Sequence, residues 1–282
     1  VIAKLEADNS RLAKEKILLD AMNEGLDEFF EGLKMCLDKL YTFGVKQVPT
    51  KDEVVAGQGC PWNVFKDLAE KLYNRELTGH NARDAINLVM SSATAEQWNG
   101  FYRRILIKDL RCGVSEKTVN SVAKKNKFGK YMVPVFTCQL AHDSANHEKK
   151  LVGEKMLEVK LDGVRTLAIV HPDGKVDMLS RNGKEFTNFG HIQDEISAVV
   201  KQDPPPYPLV LDGEVMSENF QDLMKQVHRK GSADAKDAVL HLFDFIPLEE
   251  FKKGKWDKTQ TLRTAMLLSL IHISEPTRRY LI

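Results

Sequence analysis

Glu158-Val-Lys-Leu-Asp-Gly-Val-Arg165 sets a lysine two residues ahead of an Asp-Gly pair and closes on an arginine. Downstream, Thr166 to Val170 and Lys175 to Leu179 alternate around His171-Pro172-Asp173-Gly174, which predicts a β-hairpin. Lys160 is therefore expected at a strand end, its neighbours forming a turn and its amine held in a cleft. An amine attacks an electrophile only when unprotonated, so burial or a nearby cation must lower its pKa from about 10.4. Arg165 offers such a cation and a fork for phosphate. Gly163 lets the backbone approach a ligand closely, and Asp162 suits bracing the turn through its own backbone. The same string also serves as a strand turn with no chemistry.

Outward from this point the two halves of the chain differ in texture. Leu209 to Leu211 and Val239 to Phe245 read as further strands and His191 to Val200 as a helix, so the second half is expected to be antiparallel α+β. The first half reads as helices. Leu19, Met22, Leu26, Phe29, Phe30, Leu33, Leu37 and Leu40 recur at three- and four-residue steps, which predicts one long amphipathic helix. Phe65, Leu68 and Leu72 mark a second helix and Ile86 to Met90 a third. Thr94 with Gln97 has the form of a capping box, opening a helix whose Trp98, Phe101, Tyr102, Ile105 and Leu106 face the core. That helix is expected to end near Arg111-Cys112-Gly113, with Gly113 in the left-handed terminal position and Ser115 capping the next helix. Val133-Pro134-Val135 and the polar Asp143 to Lys150 place the domain boundary near residue 130.

Length and composition fit this division. A chain of 282 residues, 43% hydrophobic and 29% charged, has room for two ordinary globular domains. It has no run of about 18 apolar residues and no basic-then-apolar leader, so no membrane partner is expected and the cytoplasm is the expected compartment. Cys36, Cys60, Cys112 and Cys138 are scattered without a metal-ligand spacing and read as reduced thiols. His171, His191 and His228 show no ligand spacing either and read as surface residues. The net charge of +1 hides an asymmetry, because Arg103 to Lys130 holds nine Lys or Arg against Asp109 and Glu116. Such a patch suits a polyanion, and equally a solvated helical face. The Gly113–Ser115 joint, flanked by Arg111 and Lys117, suits a backbone phosphate. The same residues would also build a tight helix–helix connection.

The lysine string is followed in order by Ser180-Arg181-Asn182-Gly183, Leu211-Asp212-Gly213-Glu214 and Leu242-Phe243-Asp244-Phe245. This ordered set resembles the covalent nucleotidyltransferases, specifically ATP-dependent DNA ligases of the T-even bacteriophage type. Leu77-Thr78-Gly79, Arg103-Arg104 and Lys108-Asp109-Leu110-Arg111-Cys112-Gly113 resemble the helical domain of the same ligases. The resemblance implies a multidomain protein, with an all-α DNA-binding domain over 1–130 and, over 131–266, the first part of an antiparallel α+β adenylation domain (ATP-grasp-like). It implies that Lys160 attacks the α-phosphorus of ATP to form lysyl-AMP. Glu158 would face the adenine amino group and Arg165 and Arg181 the ribose and phosphate. Phe243 would stack on the base, and Glu214 would meet the ribose and help hold Mg2+. AMP would pass to the 5′-phosphate of nicked double-stranded DNA, and the 3′-hydroxyl would then close the nick. Arg103, Arg104, Lys108, Arg111, Gly113, Ser115 and Lys117 would bind DNA, with the protein a monomer in the cytoplasm of a bacterial or phage-infected cell. A helical module that only binds DNA, and an RNA ligase or capping-type nucleotidyltransferase, are the alternatives.

The resemblance implies more chain than is present. Its later strand motifs, with a second metal-binding glutamate and a lysine pair for the triphosphate, are absent, and so is its C-terminal OB-fold. The segment Leu268-Ser-Leu-Ile-His-Ile-Ser-Glu-Pro-Thr-Arg278 resembles an in-frame translation of a sequencing-library adapter, so 267–282 is expected to be a non-native tail. The chain as given is accordingly expected to be a truncated fragment that does not seal nicks alone.

Overall fold

The structure, a computed structural model, describes residues 1–53, 57–218 and 237–274. His228 and the tail from 275 onward lie outside the described residues. The chain forms two compact units, Val1–Phe136 and Thr137–Ile282.

The first unit is helical: α1 (Ile2–Ala7), α2 (Arg11–Asn23), α3 (Asp27–Leu37), α4 (Trp62–Tyr73) and α5 (Gly79–Ser92), then α6 (Ala95–Gln97), a π-helical turn at Trp98–Tyr102, α7 (Arg103–Leu106) and α8 (Glu116–Lys125). The expected long first helix is two helices. Gly25 takes φ 68°, and the Leu26 N–H returns to the Ala21 carbonyl, closing α2 before α3 begins. The apolar stripe survives the break because both helices bury it, Leu18 and Met22 on one side and Phe30 and Leu33 on the other. Trp98, Phe65 and Phe30 centre the core, each at 1% exposure or less. Burying one such ring contributes about 2–3 kcal/mol.

The Thr94–Gln97 capping box forms, and the Gln97 side chain also accepts from the Cys60 N–H at 3.0 Å. Its helix ends sooner than the sequence suggests, at Leu106. Lys108 takes the left-handed position (φ 60°), with Asp109 N–H bonded to Arg104 and Lys108 N–H to Ile105. A left-handed lysine costs about 1–2 kcal/mol. Its side chain supplies the offset, because Nζ donates to the carbonyls of Met35, Asp38 and Tyr41 at 2.6, 2.7 and 2.7 Å, where α3 ends. Lys51 closes the end of α5 in the same way through Met90, Ser91 and Ala93.

The second unit is an antiparallel sheet in the order β2-β1-β3-β4, built from β1 (Val164–Val170), β2 (Val176–Ser180), β3 (Leu209–Met216) and β4 (Val239–Pro247). The β1–β2 hairpin turns at His171–Gly174 as its sequence predicts. α9 (Gly190–Gln202) belongs with one face, where Ala168, Val170, Met178 and Val215 pack with Phe189 and Ile192. α10 (Leu248–Lys253) follows β4, and α11 (Gln260–Ser274) packs against it through Leu267, Phe245 and Leu209. Two histidines depart from the surface reading. His171 is 5% exposed beside Asp177, and the His191 ring bonds the Ala238 carbonyl at 2.8 Å.

Candidate functional site

Arg165, Glu214 and Phe243 come together on β1, β3 and β4. Arg165 pairs in register with Glu214, so both side chains leave the same face of the sheet. In the β3–β4 ladder Asp212 meets Asp244 and Gly213 meets Leu242, which leaves Phe243 as the extra residue of a β-bulge. A bulge re-aims the side chain it carries. Here the Phe243 ring lies under the Arg165 guanidinium, 4.7 Å from its carbon to the ring centroid.

Asp212 fixes that arrangement. It takes two hydrogen bonds from Arg165, at 2.6 and 2.7 Å, in a pair whose side chains are 23% and 9% exposed. Burial pushes the Asp212 carboxyl above its usual range against the pull of Arg165, while the bonds to Asp212 hold the guanidinium pKa up against its own burial. Asp212 was legible in the Asp-Gly-Glu string, but that reading assigned a role only to Glu214. Behind it, Asp244 is engaged by Arg263 of α11 at 2.9 Å.

Lys160 is placed otherwise than its string suggests. Residues 151–163 form no strand, and β1 starts only at Val164. Leu157 and Val159 are 93% and 86% exposed, and Glu158 and Lys160 are exposed beside them. An extended segment without a paired neighbour leaves its backbone to water and forms no ladder. The turn after Lys160 is nevertheless tied down. Gly163 N–H donates to Glu214 Oε1 at 3.1 Å, and a side chain at Gly163 would collide with the Val215 carbonyl. Burial raises the Glu214 carboxyl above its usual range, while the Gly163 N–H and the charges of Arg165 and Lys160 pull it back. Among the described residues Glu158 makes no hydrogen bond or ion pair.

Arg181 is exposed just past β2, and its carbonyl accepts from Cys138 Sγ at 3.7 Å. The neighbouring Gln139 carbonyl accepts from Arg165 at 3.5 Å. Residues 138 and 139 therefore edge the site, a placement no sequence motif signals. Among the described residues no three His, Cys, Asp or Glu converge on a metal position.

In the helical unit the seven candidate DNA contacts divide. Arg103 donates to the Val48 carbonyl, and Arg104 to Glu6 at 2.6 Å and to the carbonyls of Asn99 and Leu110. Lys108 is committed to three carbonyls, so all three cations bond within the helical unit, Lys108 through its whole ammonium. Burial pushes the Lys108 pKa down to about 8, so at neutral pH it keeps three N–H donors for its three acceptors. Arg111, Gly113, Ser115 and Lys117 are exposed, and Ser115 caps α8 by accepting from Thr118 N–H.

A family model described as "ATP dependent DNA ligase domain" matches residues 137–279. The DNA ligase of Enterobacteria phage T4 is 26% identical over 200 residues, covering 69% of this chain and 37% of that protein. The DNA ligase of Enterobacteria phage T6 is 26% identical over 151 residues, 51% of this chain and 30% of that protein. A solved structure named "Pmar-Lig_Pre." superposes with a TM-score of 0.53 at 61% identity, covering 96% of this chain and 62% of its own. The chain thus spans about a third of the curated relatives it matches and under two thirds of that structure. No helix of the described residues is long and apolar enough to cross a membrane.

Proposed function

The chain belongs to the ATP-dependent DNA ligase family, and from that premise we propose that the protein of which it is part seals nicks in DNA through an adenylylated Lys160. The observation that carries this is the unit of Asp212, Arg165, Phe243 and Glu214, a charge fork, an aromatic face and a carboxylate gathered beside the Lys160 turn. Phe243 offers a surface for adenine, Arg165 and Arg181 serve the ribose and phosphate, Glu158 the adenine amino group and Glu214 the ribose. The Lys160 amine, once deprotonated, attacks the α-phosphorus of ATP. A nitrogen–phosphorus bond forms as the bond to pyrophosphate breaks. AMP then passes to the 5′-phosphate at a nick, and the 3′-hydroxyl displaces it.

Glu214 suits Mg2+, which takes one or two carboxylates and fills its remaining positions with water and substrate phosphates. When bound, the ion supplies charge that neutralises the departing pyrophosphate. In this chain Lys160 stands exposed, so its amine lacks the desolvation that promotes attack. By itself the chain is expected to adenylylate slowly and not to seal nicks.

Nucleotide binding is testable without catalysis. Cys36, Cys60 and Cys112 are buried, whereas Cys138 is partly open at the edge of the site. A pyridyl disulfide reagent should modify Cys138 in the native chain, and ATP should slow that reaction. Reaction at the same rate with saturating ATP contradicts the assigned site.

A further inference from the structure

Asp212 and Asp244 stand directly opposite each other in the β3–β4 ladder, so two carboxylates leave the same face of the sheet side by side. Like charges placed so repel, and the repulsion favours a proton on one of them. Asp212 is buried; burial first, and the Asp244 charge after it, hold its carboxyl above the usual range against the pull of Arg165. Each carboxylate is met by its own arginine. Arg165 takes Asp212 from β1, and Arg263 takes Asp244 from α11, Nε to Oδ1 at 2.9 Å. The side chains of this second pair are 16% and 13% exposed, so a carboxylate left alone there is poorly screened.

All three nitrogens of the Arg263 guanidinium donate within the unit, Nη1 to the Lys258 carbonyl at 3.0 Å and Nη2 to Gln260 Oε1 beside the bond to Asp244. That commitment fits bracing, not contact with a ligand. The same Asp244 oxygen accepts from the Phe245 N–H at 2.9 Å, which ties the ion pair to the backbone just past the Phe243 bulge. α11 is itself seated on the sheet. Leu267 packs with Phe245 and Leu209, and the Trp256 ring stands edge-on to Phe245 with centroids 5.7 Å apart.

We propose that Arg263 is a positioning residue of the nucleotide site: by pairing Asp244 it offsets the charge that faces Asp212, which keeps Asp212 on Arg165 and the Phe243 bulge in its aim. This rests on the nucleotide reading above and extends it to a helix outside the ordered motifs. Among the described residues, the groups that bear on Asp212 are Arg165 from β1, Cys138 ahead of that strand, Glu214 on its own strand, Asp244 and His241 from β4 and, through Asp244, Arg263 from α11.

Arg263→Met keeps most of the apolar stem and removes the charge. ATP protection of Cys138, measured on the full chain at neutral pH, should then need about tenfold more ATP. Adding Asp244→Asn removes the stranded charge while keeping the acceptor for the Phe245 N–H, and should return the requirement to within about twofold of wild type. A second readout needs no nucleotide. Without Arg263 the facing pair takes up a proton in the folded chain before the unfolded chain does, so the fall in melting temperature should be largest at neutral pH and shrink on acidification. In the double variant that pH dependence should vanish. Wild-type protection in Arg263→Met, a loss that Asp244→Asn does not recover, or a loss of stability that is independent of pH overturns the proposal. If Arg263→Met does not fold, the double variant decides: folding with wild-type protection upholds the proposal, and failure to fold overturns it. If ATP leaves Cys138 unprotected in the wild-type chain, the nucleotide reading fails and the positioning role with it. A pH dependence that Asp244→Asn removes would then mark charge pairing that serves the sheet alone.

Discussion

Asp212 holds Arg165 with two short bonds, and Arg165 lies on Phe243, so one carboxylate fixes side chains from three strands. Asp212→Asn leaves the guanidinium with a weaker acceptor at a partly shielded site. We expect a loss of about 1–3 kcal/mol in thermal unfolding and weaker ATP protection of Cys138. Unchanged protection would mean that the orientation of Arg165 does not matter to the nucleotide. Glu214 gives a pH signature. Its folded-state pKa is raised above 4.5, so on acidification the folded chain takes up this proton before the unfolded chain does. Acidification into the carboxylate range therefore removes the charge without a stability loss from this residue. ATP protection of Cys138 should decline on that acidification, and Glu214→Gln should abolish the step. Lys108 belongs to the opposite class of residue. Lys108→Met strands the carbonyls of Met35, Asp38 and Tyr41 and should destabilise the helical unit by about 1–3 kcal/mol, with the salt slope of DNA binding unchanged. A reduced slope would return Lys108 to the DNA-contact set.

At the scale of elements, the period-two and three-to-four-residue patterns carried most of the architecture. The hairpin at His171–Gly174, the helix over Gly190–Gln202 and the Thr94 cap were all readable because their signals are local. What escaped was set by tertiary contacts. The stripe from Leu19 to Leu40 is continuous although Gly25 divides its helix, since a hydrophobic pattern reports burial and not backbone continuity. The Phe243 bulge is visible only against the register of β3. Lys108, placed in the basic patch by composition, is turned inward by carbonyls 67 to 73 residues away in sequence. The Lys160 segment forms no strand because none pairs with it among the described residues, which no residue pattern discloses. Gly163 tests the link between elements. Gly163→Ala would push the turn off β3 and break its bond to Glu214. Lysyl-AMP formation should fall at least tenfold, while circular dichroism shows the sheet retained. Formation at the wild-type rate would exclude this turn as the device that positions Lys160.

On the scale of the molecule, the proposed function gives DNA binding to the helical unit and the nucleotide to the sheet unit, one task to each of the two units of the chain. The chain spans 62% of a 61%-identical relative, so its catalytic competence is best measured both alone and fused to the part of that relative it does not span. Transfer of AMP to Lys160 is read by peptide mass spectrometry of the chain and of the fusion after incubation with ATP and Mg2+. One acid-labile AMP is expected on the peptide holding Lys160, abundant in the fusion, sparse in the chain alone and absent from Lys160→Ala. An unmodified fusion, or AMP persisting in Lys160→Ala, would contradict it.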